Sequence, residues 1–124
     1  MRIRNVTWEE YGISENNYKE LMLFCRQYDE KKKKIKKGDL YKKAYERDIK
    51  MIDDAAAETA KEAGVNIKRH LIKSVTQGAT FETLEYDRRL GRMPVGKTEF
   101  YGYRRLFYSI LNKKKLNRGQ NESD

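Results

Sequence analysis

The residues that interrupt regular secondary structure are few in this sequence and widely spaced. There is one proline, Pro94, and there are eight glycines among 124 residues. Gly38, Gly64 and Gly78 separate stretches in which apolar residues recur every three or four positions, which is the spacing of one buried helical face. A β-sandwich of this length needs more turns and more alternating runs of Val, Ile and Thr. The sequence therefore predicts an all-α fold.

The first half of the sequence predicts an N-terminal helical hairpin. One helix begins at Ser14, whose hydroxyl can cap it, and its apolar pattern ends in the lysine run 31–37. A second helix extends from the capping residue Asp39 to about Ala63. Because only a short turn around Gly38 joins the two helices, we expect them to pack as an antiparallel hairpin.

The second half has the order of a helix-turn-helix unit. A helix ends at Gly78, a short helix is capped by Thr80, a basic loop covers 86–95, and a basic helix extends from Lys97 to about Lys113. The loop is longer than the tight turn of a simple helix-turn-helix. We therefore expect a helix-turn-helix-like unit in which the last helix takes the place of the recognition helix.

These patterns divide the chain into three parts. Residues 1–64 form the N-terminal arm and the long hairpin, 65–115 form the helix-turn-helix-like unit, and 116–124 are polar enough to predict a disordered tail. Since the chain has the length of about one domain, we expect the first two parts to share one compact body.

The net charge of +9 is concentrated in two segments. Residues 26–50 sum to +6, and residues 88–118 sum to +9 because ten Lys and Arg face a single acidic residue, Glu99. Charge clustered in this way is the electrostatic footprint of a protein that binds nucleic-acid phosphates. The alternative is that the basic residues only keep the protein soluble.

The last predicted helix has two separate arcs when its residues are placed at 100° steps. One arc is apolar and faces the core, and the other combines basic and phenolic side chains that can bind phosphates or base edges. A recognition helix presents its N-terminal residues to bases, while arginines in the preceding loop contact the backbone. The candidate nucleic-acid contacts are Lys97, Thr98, Tyr101, Arg104, Arg105, Tyr108, Arg88, Arg89 and Arg92. The alternative is a solvated basic face with partly packed tyrosines.

No pattern in the sequence indicates catalysis, a metal site or a cofactor. His70 is the only histidine, Cys25 is the only cysteine and falls on an apolar stripe, and no glycine-rich phosphate loop is present. The acidic stripe of Asp54, Glu58 and Glu62 is typical of a solvated helix face or of a docking site for one of the basic segments. Neither a signal peptide nor an apolar run of membrane-spanning length is found. We therefore expect a cytoplasmic, non-enzymatic protein that does not bind membranes.

Four segments resemble proteins of bacterial viruses. Small proteins encoded by phages and prophages of Firmicutes are similar to residues 8–14 (Trp-Glu-Glu-Tyr-Gly-Ile-Ser), residues 18–21 (Tyr-Lys-Glu-Leu), and residues 24–28 (Phe-Cys-Arg-Gln-Tyr) with the lysine run that follows. Residues 93–105 are similar to the last helix of the ArpU/RinA-like phage transcriptional regulators, whose layout is shared with sigma-factor region 4. This resemblance implies control of late-gene transcription by helix-turn-helix DNA binding, with RNA polymerase as a further partner. The residues implied are Lys97, Thr98, Tyr101, Arg104 and Arg105.

Three functions remain open at this point. The first is a phage or prophage regulator that binds double-stranded DNA, as a monomer or a dimer, with steep salt dependence. The second is a DNA-packaging adaptor of the small-terminase type, which forms a ring-sized homo-oligomer. The third is a helical protein that binds another protein, has incidental basic charge and is not retained on DNA at moderate salt.

Overall fold

The computed structural model describes residues 3–123, including the side chains of all of them except residue 4 and residues 119–123. Within this range the chain forms one turn of 3-10 helix and six α-helices, and no strand, so the predicted all-α fold is confirmed. The 3-10 turn is Ile3–Asn5, and the helices are α1 Glu15–Arg26, α2 Tyr28–Lys36, α3 Lys42–Ala63, α4 Lys68–Gln77, α5 Phe81–Glu85 and α6 Lys97–Ser123.

Helices α2 and α3 form the predicted antiparallel hairpin. Tyr28 Oη donates to Asp53 Oδ1 at 2.7 Å, and Lys31 Nζ donates to Asp48 Oδ2 at 2.9 Å. A later residue of α2 thus pairs with an earlier residue of α3, so the two helices are antiparallel. The helix predicted from Ser14 onward is interrupted at Gln27, which alone separates α1 from α2.

Helix α6 is the central helix of the fold. It packs against α3, α1 and the 3-10 turn. It runs antiparallel to α3, because Lys114 Nζ contacts Glu58 at 2.8 Å and Arg118, one turn later, pairs with the more N-terminal Asp48. Phe100 and Phe107 are fully buried, and so is Leu111. Helix α6 is therefore covered by other elements on several sides and contributes several residues to the core.

The C-terminal end of α6 lies beyond its predicted position. The sequence predicts an end near Lys113 and a disordered tail over 116–124, whereas the helix continues to Ser123. The ion pairs that Lys114 and Arg118 form with α3 hold this part of the helix against the hairpin. Residue 124 lies outside the described residues.

The two predicted parts share one hydrophobic core. Leu21 and Ile52 from the first part pack in the same buried cluster as Leu71 and Phe107 from the second. Complete burial of such a side chain stabilises the fold by roughly 1.5–3 kcal/mol. No helix within residues 3–123 is both long and apolar enough to span a membrane.

The turn between α4 and α5 follows its local sequence signals. Gly78 ends α4 in the left-handed conformation, with φ of 71°. The hydroxyl of Thr80 accepts from the N–H of Thr83 at 3.2 Å and caps α5, as predicted. The order of helix, turn and short helix is therefore present, and α6 begins after the loop.

Candidate nucleic-acid interface

Residues 86–95, which we call the arginine loop, contain no helix or strand. Two side-chain contacts hold this loop against α4. Lys73 forms an ion pair with Asp87 near the start of the loop. The Nε2–H of the buried His70 donates to the carbonyl of Gly91 at 3.3 Å. Met93 is buried in the core cluster. The loop is therefore held in one shape at three points along its length.

The three arginines of this loop lie on the surface of the protein. Arg88, Arg89 and Arg92 are exposed, and within residues 3–123 their side chains form no hydrogen bond or ion pair. The neighbouring carboxylate of Asp87 accepts from Lys73 and from the backbone N–H of Arg89, and these bonds hold its pKa below the usual value. Asp87 forms its ion pair with Lys73 and, among the described residues, none with the side chains of the loop arginines.

The first turn of α6 lies on the surface next to the arginine loop. Lys97 and Thr98 are both exposed. Lys97 pairs with Glu82 of α5, and this hydrogen bond raises the pKa of the lysine. The hydroxyl of Thr98 forms no hydrogen bond with the residues that the structure describes. Of the residues predicted to reach base edges, these two are accessible.

Tyr101 and Arg104 are half-buried and hold α6 against the α4–α5 turn. The phenol of Tyr101 accepts from the N–H of Phe81 at 3.1 Å. The guanidinium of Arg104 lies over the Tyr101 ring, 4.6 Å from its centroid, and donates to Ser74 Oγ at 3.3 Å. Both side chains therefore have structural partners, although the predicted arc places them toward a ligand.

Arg105 and Tyr108 do not belong to the same surface. Arg105 donates to the carbonyl of Val6 at 3.0 Å and fastens the N-terminal arm to α6. Tyr108 is 2% exposed and packs against Trp8 and Tyr18 at ring-centroid distances of 5.9 and 5.3 Å. Burial raises the pKa of this phenol well above its usual value. Tyr108 is a core residue and not a contact surface, so its assignment as a nucleic-acid contact is wrong for this structure.

Two further arginines, Arg69 and Arg26, lie near this region, although the sequence pattern does not indicate them. Arg69 lines a shallow depression together with Arg89 and Asp29. The guanidinium of Arg26 lies so close to Gly78 that a Cβ added at this glycine would be 2.4 Å from Nη2. Both positions result from the packing of α1 and α2 against α4, and no local sequence pattern indicates them.

Within the described part of the chain, no group of three or more His, Cys, Asp or Glu side chains is arranged to hold a metal ion. No protein-family model, curated protein or solved structure matches the chain. A function is therefore inferred from the surface of this chain.

Proposed function

We propose that this protein binds double-stranded DNA through the arginine loop and the first turn of α6. The observation that carries this proposal is the state of Arg88, Arg89 and Arg92. They are exposed and without partners in the described structure, on a loop that is fastened to the core. A guanidinium offers a planar fork of donors that fits phosphate oxygens.

The fastened loop favours binding because little order has to be created when DNA arrives. Flexible arginines lose side-chain and backbone freedom on binding, whereas a loop already held in shape loses less. Three arginine–phosphate contacts correspond to a slope of about −3 when log K is plotted against log salt. Since Lys97 and Thr98 alone among the predicted base readers are exposed, phosphate contacts dominate and sequence discrimination is weak.

In its narrower form, the proposal is a phage-type transcriptional regulator that acts without chemistry of its own. Such a protein works by occupying DNA and contacting RNA polymerase, as the resemblance of residues 93–105 implies. It is expected to be a monomer or dimer in sedimentation equilibrium. A ring-sized homo-oligomer would favour the packaging adaptor.

The test compares the wild-type protein with an Arg88→Gln/Arg89→Gln/Arg92→Gln variant by fluorescence anisotropy on a labelled duplex over a range of salt concentrations. Loss of three phosphate contacts is expected to reduce the magnitude of the salt slope by about 3. The control variant Lys19→Gln/Lys61→Gln/Lys113→Gln removes the same charge from exposed positions elsewhere. An equal fall in both variants would show that binding follows net charge and not the arginine loop.

A further inference from the structure

The tip of the α2–α3 hairpin, residues 36–43, combines exposed apolar side chains with lysines. Leu40 is 89% exposed and Tyr41 is 63% exposed. Four lysines precede and follow them in the sequence, and all are exposed: Lys36, Lys37, Lys42 and Lys43. Lys42 pairs with Glu46, while the other three have no hydrogen bond or ion pair among the described residues. The hairpin tip therefore combines two exposed apolar side chains, Leu40 and Tyr41, with four exposed lysines.

The exposure of Leu40 comes from a well-formed turn. Asp39 does not cap α3 as predicted, because the helix begins at Lys42. Instead its carboxylate accepts from the N–H of Tyr41 at 2.8 Å, and its carbonyl accepts from the N–H of Lys42 at 3.1 Å. Gly38, with φ of 72°, takes the left-handed conformation that the turn requires. Leu40 therefore projects from a turn whose shape is set by hydrogen bonds.

A single face of α2 leads from the arginine loop to the hairpin tip. Asp29, at the start of α2, lines the same depression as Arg69 and Arg89. Lys33 and Lys36 follow Asp29 at spacings of four and seven residues, which place them on one face of the helix. At 1.5 Å per residue, this face covers about 10 Å along α2. These exposed positions connect the depression beside the arginine loop to the hairpin tip, with one carboxylate, Asp29, at the loop end.

We propose that the hairpin tip makes a second contact with the same DNA duplex, in which Leu40 enters the minor groove and inserts between base pairs. Lys36, Lys37 and Lys43 then pair with the phosphates on either side. Proteins that kink DNA use an exposed apolar side chain of this kind as a wedge, with basic residues around it. This inference rests on the proposed function, because the arginine loop supplies the first contact with the duplex.

The composition of the hairpin tip favours DNA over a lipid surface. Peripheral binding to a bilayer buries a broad apolar helix face, with several large side chains in register. Within residues 36–43, Leu40 and Tyr41 are the only large apolar residues, and the Tyr41 ring is in edge contact with Tyr45 at 6.4 Å. One projecting leucine fits a base step better than it fits a membrane.

The test uses the full chain and duplexes with 2-aminopurine at a TA step, where bases unstack most easily. Binding of the wild-type protein is expected to raise 2-aminopurine fluorescence and to bend an end-labelled duplex. Leu40→Ala should abolish both signals and weaken binding by no more than about tenfold, since the wedge contact is offset by unstacking. Leu23→Ala removes a leucine that is 58% exposed on α1 and should behave as wild type. If the tip binds as proposed, its three lysines add about 3 to the magnitude of the salt slope beyond the contribution of the arginine loop, and Lys36→Gln/Lys37→Gln/Lys43→Gln should remove this added part.

The outcomes separate this inference from the proposed function. If the arginine-loop variant loses affinity as expected but wild-type binding leaves 2-aminopurine fluorescence unchanged, the wedge is overturned and the proposed function stands. If no variant or wild-type protein binds DNA, both fail. Binding of wild-type protein to phosphatidylserine vesicles that depends on Leu40, without base unstacking in DNA, would assign the tip to a membrane and overturn the inference.

Discussion

Two consecutive basic segments, residues 86–98 and residues 101–118, place their arginines differently. In the first, Arg88, Arg89 and Arg92 point to solvent. In the second, Arg104 and Arg105 donate to Ser74 Oγ and to the carbonyl of Val6. Both segments add to the same net charge. The difference teaches that an excess of basic residues does not by itself locate an interface.

The position of α6 explains why the second segment turns inward. This helix is covered by α3, by α1 and by the 3-10 turn, so basic groups along it lie close to protein on several sides. A charged group that leaves water needs hydrogen-bond acceptors in its place. Hydroxyl, carbonyl and carboxylate oxygens of neighbouring elements supply them here. Arg88, Arg89 and Arg92 of the arginine loop are exposed and keep their charges in water.

The largest expected effect that tests this comparison is on stability, at Tyr108. Replacement by Ala leaves a cavity between Trp8 and Tyr18, and we expect a loss of about 3 kcal/mol in the free energy of unfolding. Urea denaturation monitored by circular dichroism measures this loss. Tyr86→Ala is the matched control, because Tyr86 is 82% exposed in the arginine loop and should change stability by less than about 0.5 kcal/mol. Similar losses for the two tyrosines would contradict the inward placement of the second segment.

Tyr108 also shows what the sequence could and could not predict. The hairpin, the Thr80 cap and the irregular basic loop follow from local signals, and each is present in the structure. The helical arcs of α6 give the angle between side chains, but they do not reveal which arc other elements will cover. The partners of Tyr108 come from residues 8 and 18, and Arg118 meets Asp48 across 70 positions. Contacts this distant in sequence leave no local pattern.

The next effect is expected at Asp48 of α3, which pairs with Arg118 at the far end of the second segment and with Lys31 of α2. Its carboxylate accepts from Lys31 of α2 and from Arg118 of α6. Burial opposes ionisation of this carboxyl, but these hydrogen bonds outweigh it and hold the pKa below the usual value. Asp48→Asn is expected to destabilise the protein by about 1–2 kcal/mol at neutral pH, less than for a fully buried pair because water still reaches the site.

The pH dependence of this effect follows from the direction of the shift. A carboxyl with a lowered folded-state pKa contributes its stability above the unfolded-state pKa, which is about 4, and loses it as the pH falls through the folded-state pKa. The difference in unfolding free energy between wild type and Asp48→Asn should therefore be constant near neutrality and shrink in acid. A difference that does not change between pH 7 and strong acid would exclude the ion pairs as its cause.

A smaller and more selective pair of effects is expected at Arg105 and Arg88. Arg105→Gln loses the hydrogen bond to the Val6 carbonyl and should lower stability by about 1 kcal/mol, while the salt slope of DNA binding stays the same. Arg88→Gln should leave stability unchanged and reduce the salt slope by about 1. Urea unfolding measures the stability of both variants, and fluorescence anisotropy measures the salt slope of both. Each variant should change one of the two quantities and leave the other unchanged. A fall in salt slope for Arg105→Gln would place this arginine on the DNA.

The smallest expected effect is at Lys73, which fastens the arginine loop without belonging to it. Lys73→Met removes the ion pair to Asp87 and frees its carboxylate to approach the loop arginines. We expect little change in the urea midpoint but a several-fold loss of DNA affinity. The loop loses its fixed shape, and the freed Asp87 carboxylate competes with DNA phosphates for the arginines. Lys61→Met, at an exposed site on α3, is the control. If the Lys73→Met/Asp87→Asn double variant recovers part of the affinity, the competing carboxylate accounts for that part and the lost shape for the rest. Unchanged affinity in Lys73→Met would mean that the arginines bind DNA equally well from a mobile loop.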